Sequence, residues 1–226
     1  KKVYKFFFLF VALIFLSTFN PNLLDFTQEK ESDFFKIETI EITNNYIIKN
    51  NEINKKLKQV YGKNIFLINK KDILIPLQGT YFLKGIEVKK KYPKTIALKV
   101  FETKPIAILY KDNTQFILDN SSNLVPLGAQ SSDNNLPNVF GKNAEHNFVN
   151  FLKLLEKNNF NANKIKNYYF FQVGRWDLEF RNNQIIKLPY NKIQKAIKKS
   201  VELLKRKDFE NYKIIDLRVD GKIIVE

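Results

Sequence analysis

Ile86-Glu87-Val88-Lys89-Lys90-Lys91-Tyr92-Pro93-Lys94-Thr95-Ile96-Ala97-Leu98-Lys99-Val100-Phe101 is the stretch on which the fold turns. Apolar and charged residues alternate on either side of Tyr92-Pro93-Lys94, the period-two pattern of half-buried strands, so two strands joined at that turn are expected. Working back toward the N-terminus, Phe35 to Thr43 also alternates, with Ile37, Thr39 and Glu41 on one parity and Ile40 and Ile42 on the other. Asn44-Asn45 reads as a turn. Between these strands Ile53, Leu57 and Val60 fall at spacings of four and three, a helical stripe that Gly62 stops. A second helix is expected after Asn69, which can cap it, with Asp72 answering the helix dipole. Its apolar members are Ile73, Leu74, Leu77 and Phe82, and Pro76 and Gly79 inside it predict a short, kinked or split helix. The order is strand, helix, helix, strand, strand.

Before this unit the chain opens Lys1-Lys2-Val3-Tyr4-Lys5 and runs apolar from Phe6 to Phe19, diluted only by Ser17 and Thr18. A spanning helix needs about 17 to 25 apolar residues, a length that Val3 to Phe19 meets if Lys5 snorkels to the interface, and Leu23 and Leu24 could extend it. Basic residues ahead of one apolar segment predict a cytoplasmic N-terminus and a translocated bulk. The alternative is a signal peptide, disfavoured because Ser17-Thr18-Phe19-Asn20 ends bulky where a small-x-small cleavage site is needed. Residues 25–34 read as a polar linker.

Composition limits the chemistry. The chain has no Cys, one His and 7 Gly, which removes disulfides, thiolate metal sites and a glycine-built phosphate cradle. Its net charge of +15 is carried almost wholly by Lys. Arg, the usual reader of bases and phosphates, stands only at 175, 181, 206 and 218, so nucleic acid is not the expected partner. His146 sits alone at a helix start. Asp177 and Glu179 share one face of a strand, but Leu178 and Phe180 between them read as core, which leaves the two carboxylates as a solvated face. No enzyme, cofactor, metal or small-molecule substrate is expected.

The strand-helix-helix-strand-strand order beside a membrane segment resembles a POTRA domain, and Ile86 to Ile96 resembles that domain's hairpin. Phe101-Glu102-Thr103-Lys104-Pro105-Ile106-Ala107 is similar to the Val-x-Glu-x-x-Pro-x-Ala exit of the FtsQ/DivIB family of bacterial division proteins, with Phe101 in the usual strand slot. Further on, Phe116 to Leu127 reads strand, turn, strand, with Ser122-Asn123 where the family carries glycine. Leu136-Pro137-Asn138-Val139-Phe140-Gly141 resembles the family's Leu-Pro-x-Leu-x-Gly. A helix bearing Phe148, Leu152 and Leu155 follows, then Arg175-Trp176-Asp177-Leu178 like the family's Arg-Trp-x-Leu strand, and Gln184 to Leu188 as the next strand. A helix from about Asn191 to Lys207 carries Ile193, Ile197, Val201 and Leu204 on one stripe. Ile214-Ile215-Asp216-Leu217-Arg218-Val219 looks like Val-Asp-Leu-Arg-Tyr, with Val219 in the aromatic slot, and Asp220-Gly221 turns into a last strand from Lys222 to Val225.

The resemblance implies an α+β chain with a single transmembrane helix in residues 1–24, the linker at 25–34, a POTRA domain at 35–104 and a mixed β-domain with flanking helices at 105–226. It implies an inner-membrane, single-pass scaffold at the division septum, linking FtsB- and FtsL-type partners to wall synthesis, with FtsK-, FtsW- and FtsI-like proteins as further candidates. By the same resemblance Arg218, Val219, Gly221, Ile223 and Val225 border the edge that receives a strand of the FtsB-like partner, with Arg175 near it. Val88 and Lys90 correspond to a recruitment face of the POTRA domain. Two other functions stay open from the residues alone. One is a single-POTRA accessory of outer-membrane assembly or secretion, for which a β-barrel is expected after Glu226. The other is a polyanion or membrane-surface binder driven by the lysines.

Overall fold

The computed structural model describes residues 2–18, 33–128 and 135–226. The apolar N-terminal run is a helix, α1 (Lys2–Thr18), whose Phe6, Phe7, Phe8 and Phe10 are between 66% and 78% exposed. Its 17 residues rise about 25 Å, short of the ~30 Å of a hydrocarbon core. Among the described residues no helix is long and apolar enough to cross a membrane. Leu23, Leu24 and most of the expected linker lie outside the described residues.

The first globular unit has the expected order: β1 (Thr39–Thr43), α2 (Asn50–Lys56), α3 (Lys70–Leu77), β2 (Leu83–Lys91) and β3 (Thr95–Glu102). β3 is central, parallel to β1 and antiparallel to β2. The strand expected from Phe35 is shorter, because residues 33–35 form a 3-10 turn before β1. Ile53, Leu57 and Val60 are each at most 1% exposed, although α2 ends at Lys56 and the stripe finishes in a 3-10 turn. The Asn69 carboxamide accepts from the Lys71 and Asp72 N–H groups at 2.9 and 3.2 Å, and the Asp72 carboxylate accepts from the Asn69 N–H at 2.8 Å. This reciprocal box satisfies amides that a helix start leaves without partners. Pro76 has no N–H to donate back to the Asp72 carbonyl, and α3 stops at Leu77. Phe82 therefore does not extend the helical stripe. It lies beyond the helix at φ 62°, and its side chain is 4% exposed, so burial outweighs the unfavourable backbone region.

Glu102 explains the acidic position at the end of β3. Its carboxylate accepts from three consecutive amides, Tyr46, Ile47 and Ile48, at 2.9, 3.0 and 2.8 Å. Those N–H groups belong to the loop between β1 and α2, so one side chain closes the unit at that end.

Only Thr103 and Lys104 separate β3 from β4 (Pro105–Lys111). A nine-stranded sheet follows, built from β4, β5 (Thr114–Asp119), β6 (Leu124–Pro126), β7 (Asn138–Phe140), β8 (Ile165–Phe171), β9 (Arg175–Phe180), β10 (Ile185–Lys187), β11 (Ile214–Asp216) and β12 (Ile224–Val225). Their spatial order is β12-β11-β10-β9-β8-β7-β4-β5-β6. The pairs β4–β7, β7–β8 and β10–β11 are parallel. Helices α4 (Ala144–Lys157) and α5 (Ile193–Leu203) cover one face. Phe148, Phe151 and Leu155 of α4 and Ile197 and Leu203 of α5 pack there with Tyr168, Trp176, Leu178, Ile186 and Ile215. The Trp176 indole stacks on Phe151 at 4.7 Å.

At the β5–β6 turn, Ser122 takes φ 64°, and Asp119 binds the Ser121 and Asn123 amides at 2.8 Å each. Gly141 is required by contact as well as by its φ of 120°, because a Cβ there would lie 2.1 Å from the Phe170 carbonyl oxygen. The second sheet also lends residues to the first unit. Ile117 and Val125 are 2% and 1% exposed within the core that holds Ile96, Leu98 and Val100, so the two units share apolar packing.

Candidate functional site

The chain ends at a sheet edge. β12 is the outermost strand beside β11, with Val225 opposite Ile215 and Ile224 opposite Asp216. Ile214 and Glu226 exchange N–H and C=O bonds at 3.1 Å each. Antiparallel ladders alternate, so Ile224 is the next residue to bond inward, and Val225 and Ile223 turn their amides and carbonyls away from the sheet. The strand observed is shorter than the expected Lys222 to Val225, because the turn occupies residues through Lys222, whose N–H donates to the Val219 carbonyl at 3.1 Å. Gly221 takes φ 75° in that turn.

Beside this edge lies a cleft of ≈ 860 Å³ between the start of α5, the β8–β9 turn and the β11–β12 turn. It brings together Arg175, Arg218, Val219, Gly221 and Ile223, five of the six residues expected there; Val225 is on the adjoining strand and is not among the lining residues. Val219, Ile223 and Ile224 are 47%, 39% and 46% exposed, apolar side chains left in water at the edge.

The Arg175 and Arg218 side chains of the cleft are engaged with carboxylates outside its lining. Alternation puts Arg175, Asp177, Lys187, Asp216 and Arg218 on the sheet face opposite the helices, because Trp176, Leu178, Ile186, Ile215 and Leu217 point into the core. The Arg218 Nε donates to both Asp216 carboxylate oxygens at 2.9 Å, and the Arg218 backbone N–H donates to the same group. Arg175 Nε stands 3.3 Å from Asp177 Oδ1, an ion-pair distance without hydrogen-bond alignment, and both atoms are buried with no hydrogen-bond partner. The Arg175 guanidinium lies 4.0 Å from the Phe171 ring centroid. Burial pushes the Asp177 carboxyl above its ordinary value, and the cations Arg175, Arg218 and Lys187 offset this only in part. Burial acts the same way on Asp216, but the Arg218 hydrogen bonds outweigh it and hold that carboxyl below the ordinary range. On the cleft rim Asp220 is bound by Lys192 at 2.5 Å and Lys195 at 3.2 Å, which holds its carboxyl low and ties the turn to α5.

The expected solvated pair is corrected here. Asp177 is 7% exposed, and Glu179 accepts from Asn167 and Tyr169 at 2.8 and 2.7 Å. Glu179, still part-exposed, is tied into the sheet's own polar network, whereas Asp177 is held by the Arg175 ion pair. The other expected site residues, Val88 and Lys90, sit on β2 of the first unit. Val88 packs against that unit's core, and the Lys90 ammonium donates to the Phe66 carbonyl at 3.2 Å. Cleft walls missed by the sequence reading are Val173, Tyr190, Lys192 and Lys195. Only the stripe of α5 was legible, and it points away from the cleft. Its start is Ile193, preceded by Lys192 in the left-handed region at φ 56°.

Residues 35–103 match the family described as "POTRA domain, FtsQ-type", and residues 107–218 match "Cell division protein FtsQ/DivIB, C-terminal". The chain is 30% identical over 199 residues to the cell division protein FtsQ of Rickettsia bellii, covering 85% of this chain and 72% of that protein. The chain belongs to the FtsQ/DivIB family of bacterial cell division proteins. Other relatives of the family include FtsQ of Rickettsia conorii, 30% identical over 196 residues and covering 85% of this chain and 72% of that one. DivIB of Clostridium acetobutylicum is 29% identical over 110 residues, covering 48% of this chain and 43% of its own. The two globular units described above are thus the FtsQ-type POTRA domain and the FtsQ/DivIB β-domain.

Proposed function

We propose that this FtsQ/DivIB protein is a single-pass scaffold of the division site, without enzymatic activity, that receives an extended segment of an FtsB-like partner on the outer edge of β12. The observation that carries the reading is the outer side of β12, with which no strand pairs among the described residues. Val225 and Ile223 direct backbone donors and acceptors outward, which is what strand addition uses. Exposed Val219, Ile223 and Ile224 then provide apolar contact that the isolated chain leaves in water. The cleft's Lys198 and Lys222, which have no carboxylate partner among the described residues, and Arg218 suit a partner segment carrying carboxylates, with Arg218 sharing its guanidinium between Asp216 and the incoming group.

In this reading α1 is the inner-membrane segment, supported by the apolar run from Phe6 to Phe19, diluted only by Ser17 and Thr18, and the lysines before it, and the two domains lie in the periplasm at the septum. FtsL-like proteins would follow the FtsB-like partner onto the same edge, and recruitment through the POTRA domain at Lys90 is a second contact.

Calorimetric titration of the chain with the periplasmic segment of its FtsB-like protein tests the edge. Arg218→Ala and Ile223→Lys are expected to weaken binding while the fold persists, and raising the salt should have a modest effect. Unchanged affinity in both variants would remove the site. An affinity that instead falls steeply with salt would identify a polyanion binder.

A further inference from the structure

One end of the POTRA sheet gathers aromatic side chains that remain in water. Thr95 lies opposite Thr39 at the start of β1 and opposite Lys91 at the end of β2. The hairpin turn and the chain entering at Asp33 therefore share that end. The loop from residue 63 to 69 joins them, since Ile37 N–H donates to the Lys63 carbonyl at 2.9 Å and Ile65 N–H to the Phe35 carbonyl at 3.0 Å. There Phe34, Phe35, Phe66 and Tyr92 form a chain of ring contacts at 5.1, 5.0 and 4.9 Å, the last pair stacked. Phe34, Phe66, Leu67 and Tyr92 are 59%, 55%, 78% and 57% exposed. Single exposed apolar residues are ordinary, but a contiguous group marks a contact surface.

Lysines outnumber carboxylates around the rings, with Lys36, Lys63, Lys90, Lys91 and Lys94 against Asp33, Glu38 and Glu41. Glu38 and Glu41 are engaged by Lys94 and Lys91, whereas Lys63 and Lys90 have no carboxylate partner among the described residues. The bond from the Lys90 ammonium to the Phe66 carbonyl sets that charge beside the rings. Aromatic rings flanked by lysines match a membrane–water boundary, where rings settle at headgroup level and ammonium groups meet lipid phosphates. Position gives a second argument. Residues 19–32 cannot carry Asp33 more than about 50 Å from Thr18 at the end of α1. An inserted α1 keeps this end near the bilayer, where tethering converts weak contacts into frequent ones.

We propose that this aromatic and lysine-rich end of the POTRA domain docks on an anionic lipid bilayer, fixing the height and direction in which the distant β12 edge is presented. The inference rests on the reading of α1 as the membrane-inserted segment.

The test uses the full chain in phosphatidylcholine vesicles with or without phosphatidylglycerol, carrying Phe66→Trp or, for comparison, Tyr46→Trp. Tyr46 is 87% exposed beyond the opposite end of β1, and the native Trp176 is 3% exposed and common to both. With lipids spin-labelled near the headgroup, Phe66→Trp is expected to be quenched and blue-shifted when phosphatidylglycerol is present, and Tyr46→Trp is not. Adding Lys63→Glu and Lys90→Glu should deplete the docked population, because each lysine at an anionic surface contributes roughly a factor of five. An unquenched Phe66→Trp, or equal quenching at both positions, overturns the proposal and leaves this end to a protein partner. Alkaline washing of the same vesicles reads α1 separately. A chain that washes off refutes the anchor, while quenching at position 66 before the wash still supports docking.

Discussion

Val225→Pro separates the edge from the fold. The Val225 amide faces away from β11, so proline there removes no bond of the protein's own ladder, and edge strands tolerate it. A partner strand laid on this edge would lose one donor, and its carbonyl would face a proline ring inside a shielded contact. An acceptor left without a partner in this way costs about 1–3 kcal/mol, or roughly 5- to 150-fold in Kd. Ile224→Pro is the contrast, because the Ile224 amide faces Asp216 and its loss weakens the protein's own sheet. Calorimetry with the FtsB-like segment gives the affinities, and guanidinium denaturation of the free variants reports the fold. Val225→Pro should bind weakly with an unchanged denaturation midpoint, and Ile224→Pro should lower the midpoint. A correctly folded Val225→Pro that binds as tightly as the parent would refute strand addition at β12.

Glu102→Ala leaves the Tyr46, Ile47 and Ile48 amides without their carboxylate and should lower stability by ~1.5–3 kcal/mol in denaturant titrations, with Glu102→Gln recovering part of the loss. Asp216 and Asp177 should affect the acid limb of stability in opposite directions. Asp216, held below 3.8, contributes stability that is present above 3.8 and lost as the pH falls through its folded value. Asp177, held above 3.8, costs stability at neutral pH and returns it as the pH falls through its folded value toward 3.8. In denaturation series against pH, Asp216→Asn should therefore flatten the acid-side loss and Asp177→Asn should steepen it. Equal effects would show that the two carboxylates do not differ in environment.

Local structure was legible in the residues alone. Alternation around Tyr92-Pro93-Lys94 specified the hairpin, and the Asn69 and Asp72 pair specified a helix start, because each depends on contacts within a few residues. The stripe of Ile53, Leu57 and Val60 named core residues correctly even where the helix gave way to a 3-10 turn, since burial follows the face and not the hydrogen-bond pattern. The last strand was legible from the Asp220-Gly221 turn before it. Tertiary structure decided the rest. Phe82 left its helical stripe because α3 stops at Leu77, and its side chain reaches the core from beyond the helix. Asp177 lost its solvent because Lys187, Asp216 and Arg218 come from β10, β11 and the residues after it, which only the sheet order brings beside β9. The cleft exists because β10 and β11 pair in parallel, which requires α5 to cross over and return its lysines to the edge beside β12. Ile117 and Val125 joined the POTRA core by the same kind of non-local packing. Periodicity records which way a side chain faces within its own element; which elements it then meets is settled only when they assemble.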